Sequence, residues 1–435
     1  MDNLAVQEYL TQGAVLAGQG KHKEALSYYE KAERENPMEV EVYLSKGIAL
    51  ANLDRLDDAK AQFEKALKIN RTYGLAYFHL GSIAILQGDT AQGFELYNKA
   101  ISNGYDDAQL YCSIGLLHEE NGEIDMAIRN YSKAIMKDAL RPDIRIRKAR
   151  LLIQGNHLPE ALQTLDETIL TNPDVFEGYH LKFSVLMQMQ QFAKADELLN
   201  HALALFPKDP GFAIDKAQLY TQQNKIEEAI IVLTNLENAE ETDDAVRRRI
   251  YMEKAQIYAT KEDVKAAIAA LEQAKALSEK NDVFDAEVLF LLANCHLSTE
   301  EYEKTLGYSR ELIKKADEEY YKQTARYFEP LALKMLGRME EAKPLYEEAI
   351  NEFRRQSLES PGNLDSYLLR TMCLRDTEQY EKALELLEYV ITLQPDRGEP
   401  RLLKVSILEA LGRNDEAAEE AKVVNSLLPE GLRKK

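Results

Sequence analysis

The sequence has little cysteine and no long apolar run, and these two shortages exclude whole classes of protein. Its 435 residues include three cysteines, Cys112, Cys295 and Cys373, which lie far apart. An odd, scattered set argues against a disulfide framework and favours a reducing, cytoplasmic location. The longest apolar run, residues 288–293, is far too short to cross a bilayer. Residues 1–4 carry neither a basic flank nor an apolar stretch, so we expect no targeting segment and no membrane insertion.

Positive charge is also in short supply. Lys and Arg number 54 against 74 Asp and Glu, which gives a net charge of −20. Because affinity for phosphate backbones needs positive surface, we expect no nucleic acid partner. Many carboxylates fall near the starts of predicted helices, where the helix dipole stabilises them. They are Glu24, Asp57, Glu160, Glu227, Glu340, Glu381 and Asp415.

No stretch has the spacing of a catalytic or metal site. The seven histidines form no H-E-x-x-H pair, and none has a cysteine at ligand spacing. Gly18, Gly20 and Lys21 resemble a phosphate loop faintly but lack its spacing and its Ser or Thr. We therefore expect no catalytic residue, no cofactor, no metal and no enzymatic activity.

A fixed period dominates what the sequence does contain. A small residue recurs every 34 residues, at Ala25, Ala59, Gly93, Ala127, Ala161, Ala195 and Ala229. In the second unit, Tyr43, Gly47 and Leu50 recur at i, i+4 and i+7, which is one face of an α-helix. Ala59, Phe63 and Ala66 mark a second helix directly after it. Each unit is therefore a helix pair that needs a copy of itself to bury its apolar face.

The order of residues within the unit resembles the tetratricopeptide repeat. In the first unit the matching residues are Tyr9, Gly13, Leu16, Ala25, Tyr29, Ala32 and Pro37. The resemblance covers nearly the whole chain. It implies an all-α fold, an α-solenoid in which about twelve helix-turn-helix units form a right-handed superhelix.

Turn-forming and helix-ending residues fall where this unit needs them. Residues that favour turns lie between the two helices of their repeats, at Gly20, Asp54, Gly88, Gly122, Asn156 and Asn224. Prolines predicted to end helices are Pro37, Pro173, Pro207, Pro395 and Pro429.

The period loosens toward the C-terminal end. Residues 1–243 hold seven regular repeats, and residues 244–435 hold five repeats with longer connections. The extra residues are predicted between repeats, at 244–247, 282–285, 320–322 and 357–363. Pro330 and Pro344 fall inside predicted helices, so we expect a kink or hinge around residues 320–363.

The resemblance implies that partner peptides bind the concave face formed by the first helices. One position per repeat, just after the first aromatic, is predicted to face that groove: Leu10, Leu44, Phe78, Cys112, Ile146, His180, Ile214, Met252, Phe290, Tyr327, Leu368 and Leu402. This ladder is either an apolar groove for an extended chain or amphipathic helix, or packing between first helices. Lysines two places later favour packing, at Lys46, Lys148, Lys182, Lys216, Lys254 and Lys404.

A basic cluster stands out in the fifth repeat, at Arg141, Arg145, Arg147, Lys148 and Arg150. Arg147 and Arg150 are predicted to face the groove, and Arg145 the packing seam. The cluster is either an anchor for an acidic partner segment or internally paired with Glu119 and Glu120. As the partner-binding residues we predict Arg147, Arg150, Phe78, Ile146 and His180.

Two functional hypotheses follow. The first is a cytoplasmic, non-enzymatic scaffold or adaptor that binds a partner protein or peptide in the concave groove. The alternative is a ligand- or peptide-controlled regulator whose superhelix changes shape on binding. Chaperone-tail adaptors of the family hold a peptide C-terminus with Lys and Asn, but the first repeat has Leu10 and Ala14 there. The pattern specifies neither the partner nor the oligomeric state.

Overall fold

The fold is all α. A computed structural model describes residues 3–427, and every regular element in that range is an α-helix. The helices form twelve consecutive pairs, which confirms the predicted number of helix-turn-helix units. The chain separates into two compact units, Met1–Pro207 and Lys208–Lys435, here called the N-terminal unit and the C-terminal unit.

The helices of the N-terminal unit are α1 (Asn3–Gly18), α2 (His22–Glu35), α3 (Val40–Ala51), α4 (Leu56–Ile69), α5 (Gly74–Leu86), α6 (Thr90–Ser102), α7 (Ala108–Glu120), α8 (Ile124–Lys137), α9 (Pro142–Gln154), α10 (Leu158–Thr171), α11 (Phe176–Gln188) and α12 (Phe192–Leu205). Those of the C-terminal unit are α13 (Pro210–Gln222), α14 (Ile226–Glu237), α15 (Asp244–Thr260), α16 (Val264–Lys280), α17 (Ala286–Ser298), α18 (Tyr302–Lys315), α19 (Glu319–Met335), α20 (Met339–Glu359), α21 (Leu364–Asp376), α22 (Tyr380–Leu393), α23 (Gly398–Ala410) and α24 (Asn414–Leu427).

Within each unit, every helix after the first packs on the one before it, so pairs stack on pairs. Some neighbouring first helices also contact one another, as α9 and α11 do in the N-terminal unit and α19 and α21 in the C-terminal unit. Inside either unit, no two neighbouring second helices among residues 3–427 make comparable contact. The first helices thus lie closer together than the second helices.

The predicted turns and helix ends are confirmed. Asp54, Asn156 and Asn224 adopt the left-handed backbone, with φ of 58° to 59°, which short polar side chains tolerate. The three predicted turn glycines also have positive φ. Each described proline predicted to end a helix lies two residues beyond a helix, at Pro37, Pro173, Pro207 and Pro395. Pro429 lies outside the described residues.

Some of the extra residues of the later repeats lie inside helices, whereas residues 282–285 lie between α16 and α17. Residues 244–247 form the first turn of α15, and residues 320–322 belong to α19. Asp243 caps α15 by accepting a 2.8 Å bond from the Val246 N–H, so a polar stretch that reads as a loop starts a helix. Helices α19 and α20 run through Pro330 and Pro344. The division at residue 243 and the hinge around residues 320–363 stay predictions.

Arg145 occupies the first-helix aromatic position of its repeat, as Tyr43, Tyr77 and Tyr179 do in theirs. Those tyrosines each donate an O–H bond of 2.9 to 3.2 Å to the carbonyl six residues earlier. Arg145 donates an Nη1–H bond to Ala139, also six residues earlier. The guanidinium therefore replaces the phenol in tying the helix to its preceding connection. Arg145 is buried, as predicted for a residue that packs between helices.

Candidate interaction surface

Helix α9 begins at Pro142 and carries the basic cluster. Arg141 bonds both oxygens of Asp143, at 2.9 and 2.7 Å. This contact lowers the pKa of Asp143 and raises that of Arg141. The Lys148 ammonium lies 3.6 Å from Glu160 on α10. The flanks of the cluster are therefore neutralised locally.

Arg147 and Arg150 link α9 to its two neighbouring first helices. Arg147 lies 3.8 Å from Glu119 on α7, and Arg150 pairs with Glu177 on α11. The two side chains are still 49% and 62% exposed. Exposed ion pairs contribute about 0–1 kcal/mol, so incoming carboxylates can replace these acids at little cost. Glu119 also accepts a bond from the Tyr131 hydroxyl, which keeps it satisfied if Arg147 turns away.

The predicted apolar contacts differ in their access to solvent. Phe78 is 7% exposed, covered by the rings of Tyr97 and Tyr105. Ile146 is 6% exposed and lies beside the start of α11. His180 is half-buried, and its ring stands edge-on to Phe176 at 6.3 Å. Of the three predicted apolar contacts, His180 is therefore the most accessible.

Burial along the ladder favours the packing interpretation. The buried members are Leu10, Leu44, Phe78, Cys112, Ile146, Ile214, Tyr327 and Leu368. His180, Met252 and Phe290 are half-buried, and Leu402 is exposed. Most of the ladder therefore fills the space between helices.

Sequence reasoning missed Phe176, the first residue of α11. Its side chain is 53% exposed and precedes Glu177, the partner of Arg150. The equivalent position holds Gly74, Ala108 and Pro142 in the preceding repeats, so a bulky aromatic there was the available signal. Arg147 and Arg150 lie on α9, and Phe176 and His180 lie on the neighbouring first helix α11; these four residues are here called the α9–α11 face.

Other chemistry is sparse in the described part of the chain. Residues 3–427 hold no group of three or more His, Cys, Asp or Glu side chains able to bind a metal ion. No helix among them is both long and apolar enough to cross a membrane. The three cysteines are free thiols. Burial raises the pKa of Cys112 and of Cys295, so both stay protonated at neutral pH.

Three family profiles, all described as tetratricopeptide repeat, match the chain. They cover residues 10–74, 46–108, 119–182, 186–248, 249–281 and 374–424. The chain is a tetratricopeptide-repeat protein. The family supports a protein-interaction scaffold in general terms, and its repeat is typically a non-catalytic module.

Named relatives of this tetratricopeptide-repeat protein are distant. BBSome complex member BBS4 from Bos taurus is 26% identical over 119 residues, covering 27% of this chain and 23% of that protein. Protein O-mannosyl-transferase TMTC1 from Homo sapiens is 22% identical over 154 residues, covering 35% of this chain and 17% of its own. The chain thus spans less than a quarter of the length of either relative.

Solved structures of other tetratricopeptide-repeat proteins also match. The C-terminal part of a repeat protein from Cytophaga hutchinsonii is 15% identical, with a TM-score of 0.44, covering 65% of this chain and 99% of that one. YrrB, titled a TPR protein with an unusual peptide-binding site, is 19% identical with a TM-score of 0.36, covering 45% of this chain and 97% of its own.

Proposed function

We propose that this protein is a non-enzymatic scaffold whose N-terminal unit binds an acidic segment of a partner protein at the α9–α11 face. The observation that carries the proposal is the exposure of Arg147 and Arg150 on α9, together with that of Phe176 on the neighbouring helix α11. A guanidinium binds a carboxylate through two parallel hydrogen bonds, and a positive patch steers acidic segments toward it. Partner carboxylates would take the places of Glu119 and Glu177.

The net charge and the free thiols of the chain indicate the class of partner and the compartment in which the protein acts. A net charge of −20 disfavours nucleic acid, so the proposed partner is a protein or peptide. Three free thiols favour action in the cytoplasm. Phe176 and His180 would add apolar contact next to the ion pairs, on the first-helix side of the repeats.

Charge reversal tests this proposal. The variant carries Arg147→Glu and Arg150→Glu, and the matched control is Arg129→Glu, an exposed arginine of α8 with no described ion pair. The wild-type protein first captures its partner from cells of its source, and the partner is then purified for direct titration. We expect the double variant to bind at least tenfold more weakly, with a flatter salt dependence, and the control to bind as wild type.

The stability of the same variants separates binding from folding. Exposed pairs contribute little, so helicity and melting temperature are expected to stay near wild type. A collapse of either would assign the arginines to holding α7, α9 and α11 together. Unchanged binding by the double variant would remove the α9–α11 face from the proposal.

A cavity favours the second candidate function, a ligand-controlled regulator. A hollow of about 530 Å³ lies between α18, α19 and α20, lined by Ile313, Arg326 and Leu345 among others. It overlaps the predicted hinge around residues 320–363. A ligand of this site would raise the melting temperature of wild type but not of Asn351→Trp, which fills the cavity from its exposed wall. Equal shifts in both would reject the cavity as the site.

A further inference from the structure

In five repeats an ion pair joins the first helix to the preceding second helix at one fixed position. We call it the seam position; it lies three residues after the first-helix aromatic position. The pairs are Lys46–Glu33, Lys182–Asp166, Lys254–Glu237 and Lys404–Glu388. In α19 the charges are reversed, and Glu329 lies 2.8 Å from Arg310 of α18. Opposite charges meet at all five of these seams. In α9 the charged residue at this position, Lys148, pairs instead with Glu160 of its own repeat.

Arg370, the seam residue of α21, breaks this rule. The Tyr367 hydroxyl donates a 3.1 Å bond to the Ser357 carbonyl, which sets the register between α20 and α21. The two helices are antiparallel, so the residues one helical turn farther from their connection also lie opposite each other. These residues are Arg370, three after Tyr367, and Arg354, three before Ser357. Neither guanidinium has an ion pair among the described residues. The neighbouring Arg355 differs, because its guanidinium lies 2.7 Å from the carboxylate of Glu352.

The geometry also leaves a donor without an acceptor. The Nε of Arg370 is buried and has no hydrogen-bond partner. Burial and the nearby Arg354 charge lower the pKa of Arg370. The hydroxyl of Ser366, one turn earlier on the same helix, is likewise buried without a partner. An unsatisfied buried donor destabilises the folded state, yet no acidic residue in the described range 3–427 is placed to accept from it.

We propose that Arg354 and Arg370 bind a phosphate group in the seam between α20 and α21. Two adjacent guanidinium groups match a phosphate monoester or inorganic phosphate, which carries nearly two negative charges at pH 7 and three or more acceptor oxygens. A carboxylate would neutralise only one of them. Arg354 is exposed and admits the anion, while the half-buried Arg370 fixes its direction. The seam lies in the C-terminal unit, so this inference is independent of the α9–α11 face.

Calorimetric titration at constant ionic strength tests the site. The probes are inorganic phosphate and the pentapeptide Gly-Gly-phosphoserine-Gly-Gly, with acetate and the unphosphorylated peptide as comparators. Wild type is expected to bind phosphate saturably, Arg354→Gln and Arg370→Gln at least tenfold more weakly, and the control Arg355→Gln within twofold of wild type. Tighter binding of the phosphopeptide than of phosphate identifies a phosphorylated segment as the source, and the reverse identifies the free anion.

Three outcomes would overturn the proposal. They are no saturable binding of either probe, binding by both glutamine variants as tight as that of wild type, or binding of acetate as tight as that of phosphate. Thermal unfolding supplies a second measurement. In phosphate-free buffer Arg370→Gln relieves repulsion and is expected to melt higher than wild type, while added phosphate raises the melting temperature of wild type alone. A lower melting temperature for Arg370→Gln, with no effect of phosphate on wild type, would make the guanidinium structural.

Discussion

The first four repeats and three later ones solve the same packing problem with different residues. In the first four, a glycine of the first helix faces an aromatic ring of the second: Gly13 with Tyr29, Gly47 with Phe63, Gly81 with Tyr97 and Gly115 with Tyr131. In the others, alanine stands with leucine: Ala149 with Leu165, Ala217 with Leu233 and Ala255 with Leu271.

The difference teaches that packing depends on the pair and not on either residue alone. A Cβ atom added to Gly115 would lie 2.6 Å from Cε1 of Tyr131, so the ring covers the helix only where no side chain intervenes. An alanine Cβ fills part of that space, and a leucine, which is smaller than a tyrosine, fills the rest. The signature loosens along the chain while the core stays filled.

Breaking one glycine–aromatic pair should give the largest effect. Gly115→Ala forces the Tyr131 ring away from α7, and we expect a loss of about 3 kcal/mol in local stability. Hydrogen exchange of the α7 and α8 amides measures it, because repeat arrays open locally. The control is Gly18→Ala, which meets nothing within 4 Å and should be neutral or slightly stabilising. Equal behaviour of the two variants would contradict the pairing.

Acidification should have the next largest effect on stability, because His79 stacks on the aromatic ring of one glycine–aromatic pair. The His79 ring lies 5.0 Å from that of Phe63 at an interplanar angle of 9°, and burial lowers its pKa to about 4. The unfolded chain then binds more protons below pH 6.5, so stability is intact above that pH and falls as pH drops toward 4. We expect roughly 2 kcal/mol lost between pH 7.5 and 4.5.

Exchange of the α3–α6 amides at the two pH values measures this loss. His79→Phe should remove most of it, whereas His157→Gln, at an exposed position, should not. The same pH dependence in all three proteins would show that His79 does not set it.

Compensation within a pair sharpens the comparison further. Adding Tyr131→Leu to Gly115→Ala recreates an alanine–leucine pair, and we expect recovery of about half the loss, roughly 1.5 kcal/mol. Recovery is incomplete because the Tyr131 hydroxyl bond to Glu119 is lost. A double-mutant cycle by hydrogen exchange gives the coupling. Simple addition of two destabilising effects would refute compensation.

The smallest predicted effect concerns Arg145, where a charged residue replaces a tyrosine. Arg145→Tyr should restore the phenol contact with the Ala139 carbonyl and change stability by less than about 1 kcal/mol. Arg145→Ala loses both the bond and the packing, and should cost about 1–2 kcal/mol. Hydrogen exchange of the α9 and α10 amides distinguishes the Arg145→Tyr and Arg145→Ala variants. Equal losses would show that the carbonyl bond is unimportant.

The structural features that recur from repeat to repeat could be predicted from the sequence. The small residues of the second helices, such as Ala25, Ala59 and Ala127, are fully buried, and turn residues such as Asp54 adopt the predicted left-handed backbone. Their periodic spacing defines the helix pair by itself. The number of units followed from the same spacing.

What could not be predicted depends on contacts between units. Phe78, predicted to face the groove, is buried because Tyr105 from the following connection covers it. Residues 244–247 read equally well as a loop or as a helix start, and the Asp243 cap decides between them. The pairing of Arg147 with Glu119 was foreseen as an alternative, whereas the exposure of Phe176 was not.

Site-specific photo-crosslinking tests the central claim, that the partner binds the α9–α11 face, most directly. A benzoylphenylalanine replaces Phe176 in one protein and Tyr320, an exposed aromatic of the C-terminal unit, in another. With the captured partner bound, the account predicts a crosslink from position 176 that high salt abolishes, and none from position 320. A crosslink from position 320 alone would contradict it.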